Sequence, residues 1–285
     1  MTKTPLALLT AVLAAGCVAP SARTSNAAAI PPVAPPSSST VAAAASGSTN
    51  ITPPRADLIA PAAPAQPTLL QRLVKAAPKA DPEVLALALE ARTCAGRAGT
   101  GTDATRLAVI DYSKPSTERR LWVFDLANAN LLYDEYVAHG RGSGENMATS
   151  FSNTDGSHQT SLGLFTTAET YMGGNGYSLR MDGHEPGWND KARDRLIVMH
   201  GAPYVNPLQA RVQGRLGRSF GCPAVRPEVA KPMIDTLKQG QLVFAYAKNE
   251  KWLKGSRFLG CNGAAALVRG ERPGNTSLVN RTATL

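Results

Sequence analysis

The most informative part of the chain reads His-Gly-Ala-Pro-Tyr-Val-Asn at residues 200–206 and Gly-Arg-Leu-Gly-Arg-Ser-Phe-Gly-Cys-Pro-Ala-Val-Arg at residues 214–226. Its two reactive side chains are His200 and Cys222. A thiol is a strong nucleophile only as the thiolate, and a neighbouring imidazole commonly acts as its base. All four histidines precede Cys222, whereas papain-like hydrolases place the cysteine first. The order therefore predicts cysteine-based acyl transfer on a different scaffold.

The residues around Cys222 are typical of a reactive loop. Gly221 permits close backbone approach, while Pro223 lacks an N–H and biases Cys222 toward extended dihedral angles. An oxyanion hole would therefore draw its backbone donors from Gly221 and Cys222. The alternative is a buried structural cysteine, a common fate of free cysteine. The Gly, Ser, Arg and Pro neighbours favour the loop.

These residues resemble a known catalytic signature. His200-Gly201, then Ser219-Phe220-Gly221-Cys222 and Arg226, are similar to the pattern of the murein L,D-transpeptidase catalytic domain family, the YkuD-like L,D-transpeptidases. That pattern is His-Gly, then Ser/Thr-His-Gly-Cys, an apolar residue, and Arg or Asn. Phe220 therefore stands where the family has His. The resemblance extends over roughly residues 68–260.

The resemblance implies a fold and a set of roles. The expected class is mainly β (α+β), with a β-sandwich-like catalytic core, N-terminal helices and a helix after the cysteine. Cys222 is then the nucleophile and His200 the base, with Ser219 and Gly221 in the catalytic loop. We expect substrate contacts from six further residues: Gly201, Arg218, Arg226, Gly163, Phe165 and His139. A structural role fits the two arginines equally well, and Gly163 equally fits a glycine bulge in a strand.

The implied activity is transfer between peptidoglycan stem peptides through a thioester on the cysteine. No cofactor is expected. Two alternatives stay open: an L,D-carboxypeptidase that uses water as acceptor in the same site, and a non-catalytic lipoprotein that binds peptidoglycan. The Cys/His pair disfavours the second alternative, because a tether needs neither side chain.

Composition divides the chain beyond residue 16 into three segments. Residues 17–67 are rich in Ala, Pro, Ser and Thr, with few large apolar side chains, which predicts a disordered tether. Residues 68–260 are long enough to bury one sizeable core and form the predicted catalytic domain. Residues 261–285 are polar and without periodicity, which predicts a tail.

The first residues are typical of a bacterial lipoprotein signal. A short apolar run after Lys3 ends in Leu13-Ala14-Ala15-Gly16-Cys17, too short to be a stable membrane span. We therefore expect residues 1–16 to be removed and Cys17 to carry lipid, the alternative being an ordinary secretory signal. Val18 is not acidic, so a resemblance to sorted lipoproteins implies anchoring to the outer membrane, with the domain on the periplasmic face.

The net charge of +9 suits a polyanionic partner such as peptidoglycan with its free carboxylates. The chain has no zinc-finger spacing and no RNA-binding aromatic motif, so we expect no nucleic-acid partner. The alternative is that the charge serves solubility alone. We expect a monomer.

Cys94 and Cys261 remain to be assigned. Outside the cytosol a disulfide between them would persist and would leave Cys222 free. Two separate buried thiols are the alternative. The four cysteines show no paired ligand spacing, so no metal site is predicted.

Apolar spacing predicts helices over residues 69–77 and 82–94, the second with Asp81 as N-cap and Pro82 at its first position. A third helix is predicted over residues 229–238. Strands are predicted over residues 106–112, 120–126, 131–138, 161–168, 178–181, 195–199 and 241–246.

Overall fold

The computed structural model describes residues 66–261 of the chain. The strands are β1 (Arg106–Asp111), β2 (Leu121–Asp125), β3 (Asn130–Glu135), β4 (Gly163–Gly173), β5 (Gly176–Gly183), β6 (Val198–Gly201), β7 (Ala224–Val225) and β8 (Leu242–Tyr246). The helices are α1 (Leu69–Ala76), α2 (Pro82–Arg97), α3 (Pro207–Gln213), α4 (Pro227–Leu237) and α5 (Glu250–Gly255), with a short 3-10 helix at Arg141–Ser143. The predicted signal peptide, Cys17, nearly all of the tether, and the tail beyond Cys261 lie outside the described residues.

All eight strands join one mixed sheet in the order β3-β2-β1-β8-β4-β5-β6-β7. The pairs β1–β8 and β6–β7 are parallel, and the other neighbours are antiparallel. Strands β1, β2 and β8 are almost entirely buried. The prediction of a mainly β protein with added helices is confirmed.

The sheet curls until its two ends meet. Ala138, just after edge strand β3, donates its N–H to the Ala224 carbonyl of the opposite edge strand, β7, at 2.8 Å. Helix α4 contacts both β1 and β6, which lie four places apart in the strand order. The segments that follow β3 and precede β7 are therefore held side by side.

The N-terminal helices begin where the sequence predicts. Thr68 and Gln71 form a reciprocal capping box at the start of α1. The Asp81 carboxylate accepts from the Glu83 N–H, and Pro82 takes the first position of α2. Helix α2 packs on β1 and β8. A disulfide joins its Cys94 to Cys261, so these two sulfurs are not available as thiolate ligands.

Some of the observed elements differ from the predicted ones. Strand β6 begins at Val198 instead of 195, because Leu196 adopts a left-handed conformation with φ 54° and breaks the extended chain. The short helices α3 and α5 were not predicted, since seven and six residues give little periodicity to read. None of the helices within residues 66–261 is long and apolar enough to cross a bilayer.

Candidate active site

Cys222 lies on a tight loop that one hydroxyl holds in shape. The Ser219 Oγ donates to the Cys222 carbonyl at 2.6 Å and accepts from the Gly221 N–H at 3.1 Å. Gly221 has φ +120°, and a methyl group on it would stand 2.9 Å from the Gln159 carbonyl oxygen. Glycine suits this position because it adopts a positive φ readily and has no Cβ to meet the Gln159 carbonyl.

The same contacts correct the predicted oxyanion hole. Because the Gly221 N–H already donates to Ser219, it does not point freely toward a substrate oxygen. Within the described residues the Cys222 N–H donates to no acceptor. One backbone donor, not two, is therefore available at the cysteine.

His200 lies within β6 and is nearly buried. Strand β6 pairs with β7 in parallel, with His200 opposite Ala224, which is two residues beyond Cys222. The ring Nδ1 lies 2.9 Å from the Gly201 carbonyl oxygen and donates to it, which leaves Nε2 as the acceptor. Burial lowers the pKa of His200, so the ring is neutral at neutral pH. Its orienting partner, which the sequence could not name, is thus a backbone carbonyl.

The Cys222 sulfur is held by backbone groups. It accepts from the Val198 N–H at 3.4 Å and donates to the Leu196 carbonyl at 3.6 Å. Burial raises the pKa of the thiol, while the Val198 hydrogen bond and the Arg195 charge lower it. No hydrogen bond joins the sulfur to His200 in the described part of the chain. Catalytic hydrogen bonds are commonly long in unliganded sites and shorten with substrate.

Cys222 opens onto a pocket of about 310 Å³. Its lining comes from four parts of the chain: the loop before β4, the tip of the β4–β5 hairpin, the segment that leads into β6 and the segment that leads into β7. The lining residues are Asp155, Gly156, His158, Asn175, Arg195, Leu196, Phe220 and Cys222. Asp155, Asn175, Arg195 and Leu196 had not been singled out from sequence, because their convergence depends on loop geometry.

Phe220 forms an exposed rim on this pocket. Its side chain is 63% exposed, and its ring lies 4.6 Å from the His158 ring, centre to centre. The Arg141 guanidinium lies 4.5 Å from the Phe220 ring centre and donates to His158 Nδ1 at 3.0–3.1 Å. A position that carries His in the related pattern thus carries an aromatic ring beside an imidazole from another loop.

Three predicted substrate contacts do not fit their positions. His139 is completely buried, with its ring nitrogens 2.8 Å from Arg120 Nη2 and 3.3 Å from the Gly144 carbonyl oxygen. Phe165 is buried in the core. Gly163 has φ +111° and a methyl group there would collide with the Glu185 carboxylate, so its role is structural.

The two arginines take mainly structural partners. Arg226 makes a bidentate ion pair with Glu135, at 3.0 and 2.6 Å. Arg218 donates to the Gly144 carbonyl at 2.9 Å and to the Glu145 carboxylate at 2.6 Å. Of the predicted substrate residues, Gly201 lies next to His200, and its carbonyl orients the imidazole.

The chain is similar to several solved structures of L,D-transpeptidases. An L,D-transpeptidase from Mycobacterium smegmatis is 16% identical over 50% of this chain and 59% of its own, with a TM-score of 0.32. L,D-transpeptidase 3 from Mycobacterium tuberculosis is 13% identical over 50% of this chain and 61% of its own, with a TM-score of 0.33. The L,D-transpeptidase of Xylanimonas cellulosilytica is 15% identical over 50% of this chain and 61% of its own, with a TM-score of 0.30. The chain thus spans 59–61% of the length of these structures.

A comparison with curated proteins gives no match. The sequence model of the L,D-transpeptidase catalytic domain, in contrast, matches residues 76–246, which is more than half of the chain. The protein therefore belongs to the family of L,D-transpeptidase catalytic domains.

Proposed function

We propose that the protein is a cysteine-dependent L,D-transpeptidase that acts on peptidoglycan stem peptides in cell-wall cross-linking or remodelling. The observation that carries this proposal is Cys222 itself: a thiol at the wall of an open pocket, on a loop fixed by Ser219, next to the strand that bears His200. Family membership supports the reaction class.

In the proposed reaction His200 Nε2 takes the Cys222 proton, and the thiolate attacks the carbonyl between an L-centre and a D-centre of a donor stem peptide. The C–N bond breaks, the imidazolium returns its proton to the leaving D-amino acid, and a thioester remains on the sulfur. The amine of a second stem peptide then attacks the thioester and frees the thiol.

The Cys222 N–H is the proposed oxyanion donor, since it has no other acceptor among the described residues. A donor fixed before the reaction stabilises the developing charge without reorganisation. Ser219 orients this donor indirectly. Its hydroxyl binds the Cys222 carbonyl and the Gly221 N–H, and thus fixes the peptide planes before and after the one that carries the Cys222 N–H.

Where the enzyme would act is also a proposal. The apolar run that ends at Cys17 supports removal of residues 1–16, lipidation of Cys17 and placement on the periplasmic face of the outer membrane. Two or more acyl chains would give stable anchoring. A Pro-rich tether would let the domain reach the cell wall.

The test is mass spectrometry of the products formed from a disaccharide-tetrapeptide. We expect a cross-linked dimer with the wild type and none with Cys222→Ala. His200→Gln should lower the rate by about 10²–10⁴-fold, the usual contribution of a general base. The matched control is His184→Gln, whose ring contacts Thr166 and lies outside the pocket, and which should keep the wild-type rate.

Other outcomes would redirect the proposal. A tripeptide product without dimer would identify an L,D-carboxypeptidase. An unchanged product pattern in Cys222→Ala would contradict catalysis by this cysteine.

A further inference from the structure

One charged side chain beside Cys222 has no part in the reaction described above. The Arg195 guanidinium makes four hydrogen bonds, all to the loop of residues 152–161. Its acceptors are the Ser152 carbonyl at 2.8 Å, Ser161 Oγ at 2.6 Å, Ser157 Oγ at 3.2 Å and the Gln159 carbonyl at 2.8 Å. A planar guanidinium bound at both terminal nitrogens is fixed in position and orientation.

This fixed charge lies next to the cysteine loop. Arg195 and Cys222 line the same pocket. A methyl group placed on Gly221, the residue before the cysteine, would stand 3.5 Å from Arg195 Nη2. The Gln159 carbonyl oxygen that binds Nη2 would lie 2.9 Å from the same methyl group. The guanidinium, its loop and the cysteine loop therefore pack as one unit.

The backbone after Arg195 is bent to bring it there. Leu196 adopts φ 54° although it has a Cβ, a conformation that is strained in a non-glycine residue. Its carbonyl accepts from the Cys222 thiol, and the Val198 N–H donates to the same sulfur. Strained residues of this kind persist where the surrounding structure demands them, often at functional sites.

The charges around the sulfur can be named from each packed element. Asp155 and His158 line the pocket from the loop before β4, and His200 lies on β6. Tyr112 follows β1 and Tyr204 follows β6. Burial raises the pKa of each phenol, and the charge of the Cys222 sulfur raises it further, so both are neutral at neutral pH. Among the residues that line the described pocket, Arg195 is thus the basic side chain beside the sulfur, and Asp155 is the acidic one.

We propose that Arg195 is a positioning residue: its guanidinium stabilises the Cys222 thiolate through space and locks the loop of residues 152–161 against the cysteine, while Asp155 attenuates its charge. The role deepens the proposed function, because it concerns the ionisation of the same nucleophile. Burial raises the pKa of the Cys222 thiol and so favours its protonated form, whereas the positive charge of Arg195 lowers that pKa and favours the thiolate.

The experiment measures the pH dependence of alkylation of Cys222 in the full chain. Iodoacetamide reacts with the thiolate, and quantifying the peptide that contains Cys222 separates it from the other cysteines. In Arg195→Met the pH at which alkylation of Cys222 reaches half its maximal rate, the midpoint, should rise by about one pH unit or more, because a nearby opposite charge is removed. Arg195→Lys keeps the charge and should restore part of the shift.

The matched control is Arg193→Met. This neighbouring arginine binds Glu169 and Asp182 on the surface, away from the pocket, so the midpoint should stay at the wild-type value. Equal midpoints in the wild type and in a folded Arg195→Met variant would overturn the proposal.

A second variant tests the effect of the Arg195 charge by removing the carboxylate that opposes it. Asp155 is exposed, so Asp155→Asn should preserve the fold and lower the midpoint, because the Arg195 charge is then less compensated. An unchanged or raised midpoint would overturn the proposal even if Arg195→Met fails to fold. Alkylation needs no peptidoglycan, so these results stand apart from the transpeptidase test.

Discussion

At the scale of single residues, the most instructive side chain is His139. It lies beside Arg120, whose guanidinium is fully buried and is bound by the Val137 and Lys114 carbonyls and by His139 Nδ1. The imidazole must accept from the guanidinium, so its proton lies on Nε2, toward the Gly144 carbonyl. Burial and the Arg120 charge lower the pKa of His139 to about 4. His139, which was expected to contact substrate, instead accepts a hydrogen bond from the buried Arg120 guanidinium.

His139 should make the fold sensitive to acid. Its pKa is about 4 in the folded protein and about 6.5 when unfolded, so between these values the unfolded chain binds more protons. The stabilisation is complete above pH 6.5 and is lost as the pH falls toward 4. Between pH 7.5 and 4.5, urea unfolding should show a loss about 2–3 kcal/mol larger in the wild type than in His139→Gln, which keeps an acceptor for Arg120. Equal losses would refute this role.

The motif residues were readable from sequence, and most of their neighbours were not. Gly221, Cys222 and His200 have local chemistry that depends little on the rest of the fold. Arg195 was placed inside a predicted strand, because nothing in the sequence reports the left-handed turn at Leu196. Its role depends on contacts across more than 30 residues, which periodicity does not encode.

At the scale of elements, the site depends on the meeting of the two sheet edges. The Ala138–Ala224 contact and the Glu135–Arg226 ion pair both join the end of β3 to the region of β7. Arg226 is also the N-cap residue of α4. Because only Pro223 separates Cys222 from β7, this closure positions the cysteine loop against the rest of the sheet.

Arg226→Leu should therefore act on stability. It would leave the buried Glu135 carboxylate without its partner, at a cost of about 3 kcal/mol in the free energy of unfolding. Arg218→Leu is the matched control, since its partner Glu145 is exposed, and it should cost less than about 1 kcal/mol. Denaturant unfolding measures both. Equal costs, or loss of activity in a fully stable Arg226→Leu, would instead favour a substrate contact.

Most elements followed from the sequence for a simple physical reason. Buried strands such as β1 and β8 are continuous apolar runs, and α1 and α2 carry their own capping residues. The curling of the sheet was not derivable from the residues, because it rests on pairings between segments far apart in sequence. The resemblance to a known family implied a two-layer core, and the residues alone did not.

At the scale of the whole molecule, one covalent link spans the described domain. The Cys94–Cys261 disulfide joins α2 to the last described residue across a separation of 167 residues. A loop of that length contributes about 5 kcal/mol in the chain-entropy model. The link leaves Cys222 as the free cysteine of residues 66–261. A free thiol is what the nucleophilic role proposed for Cys222 needs.

Mass spectrometry of the protein during turnover shows whether Cys222 carries the acyl group. The full chain is mixed with a disaccharide-tetrapeptide, quenched in acid and mapped by peptide. We expect a transient mass increase equal to the donor without its terminal residue, located on Cys222 and released by hydroxylamine. Turnover without any adduct on Cys222, or an adduct on another residue, would show that Cys222 is not the nucleophile.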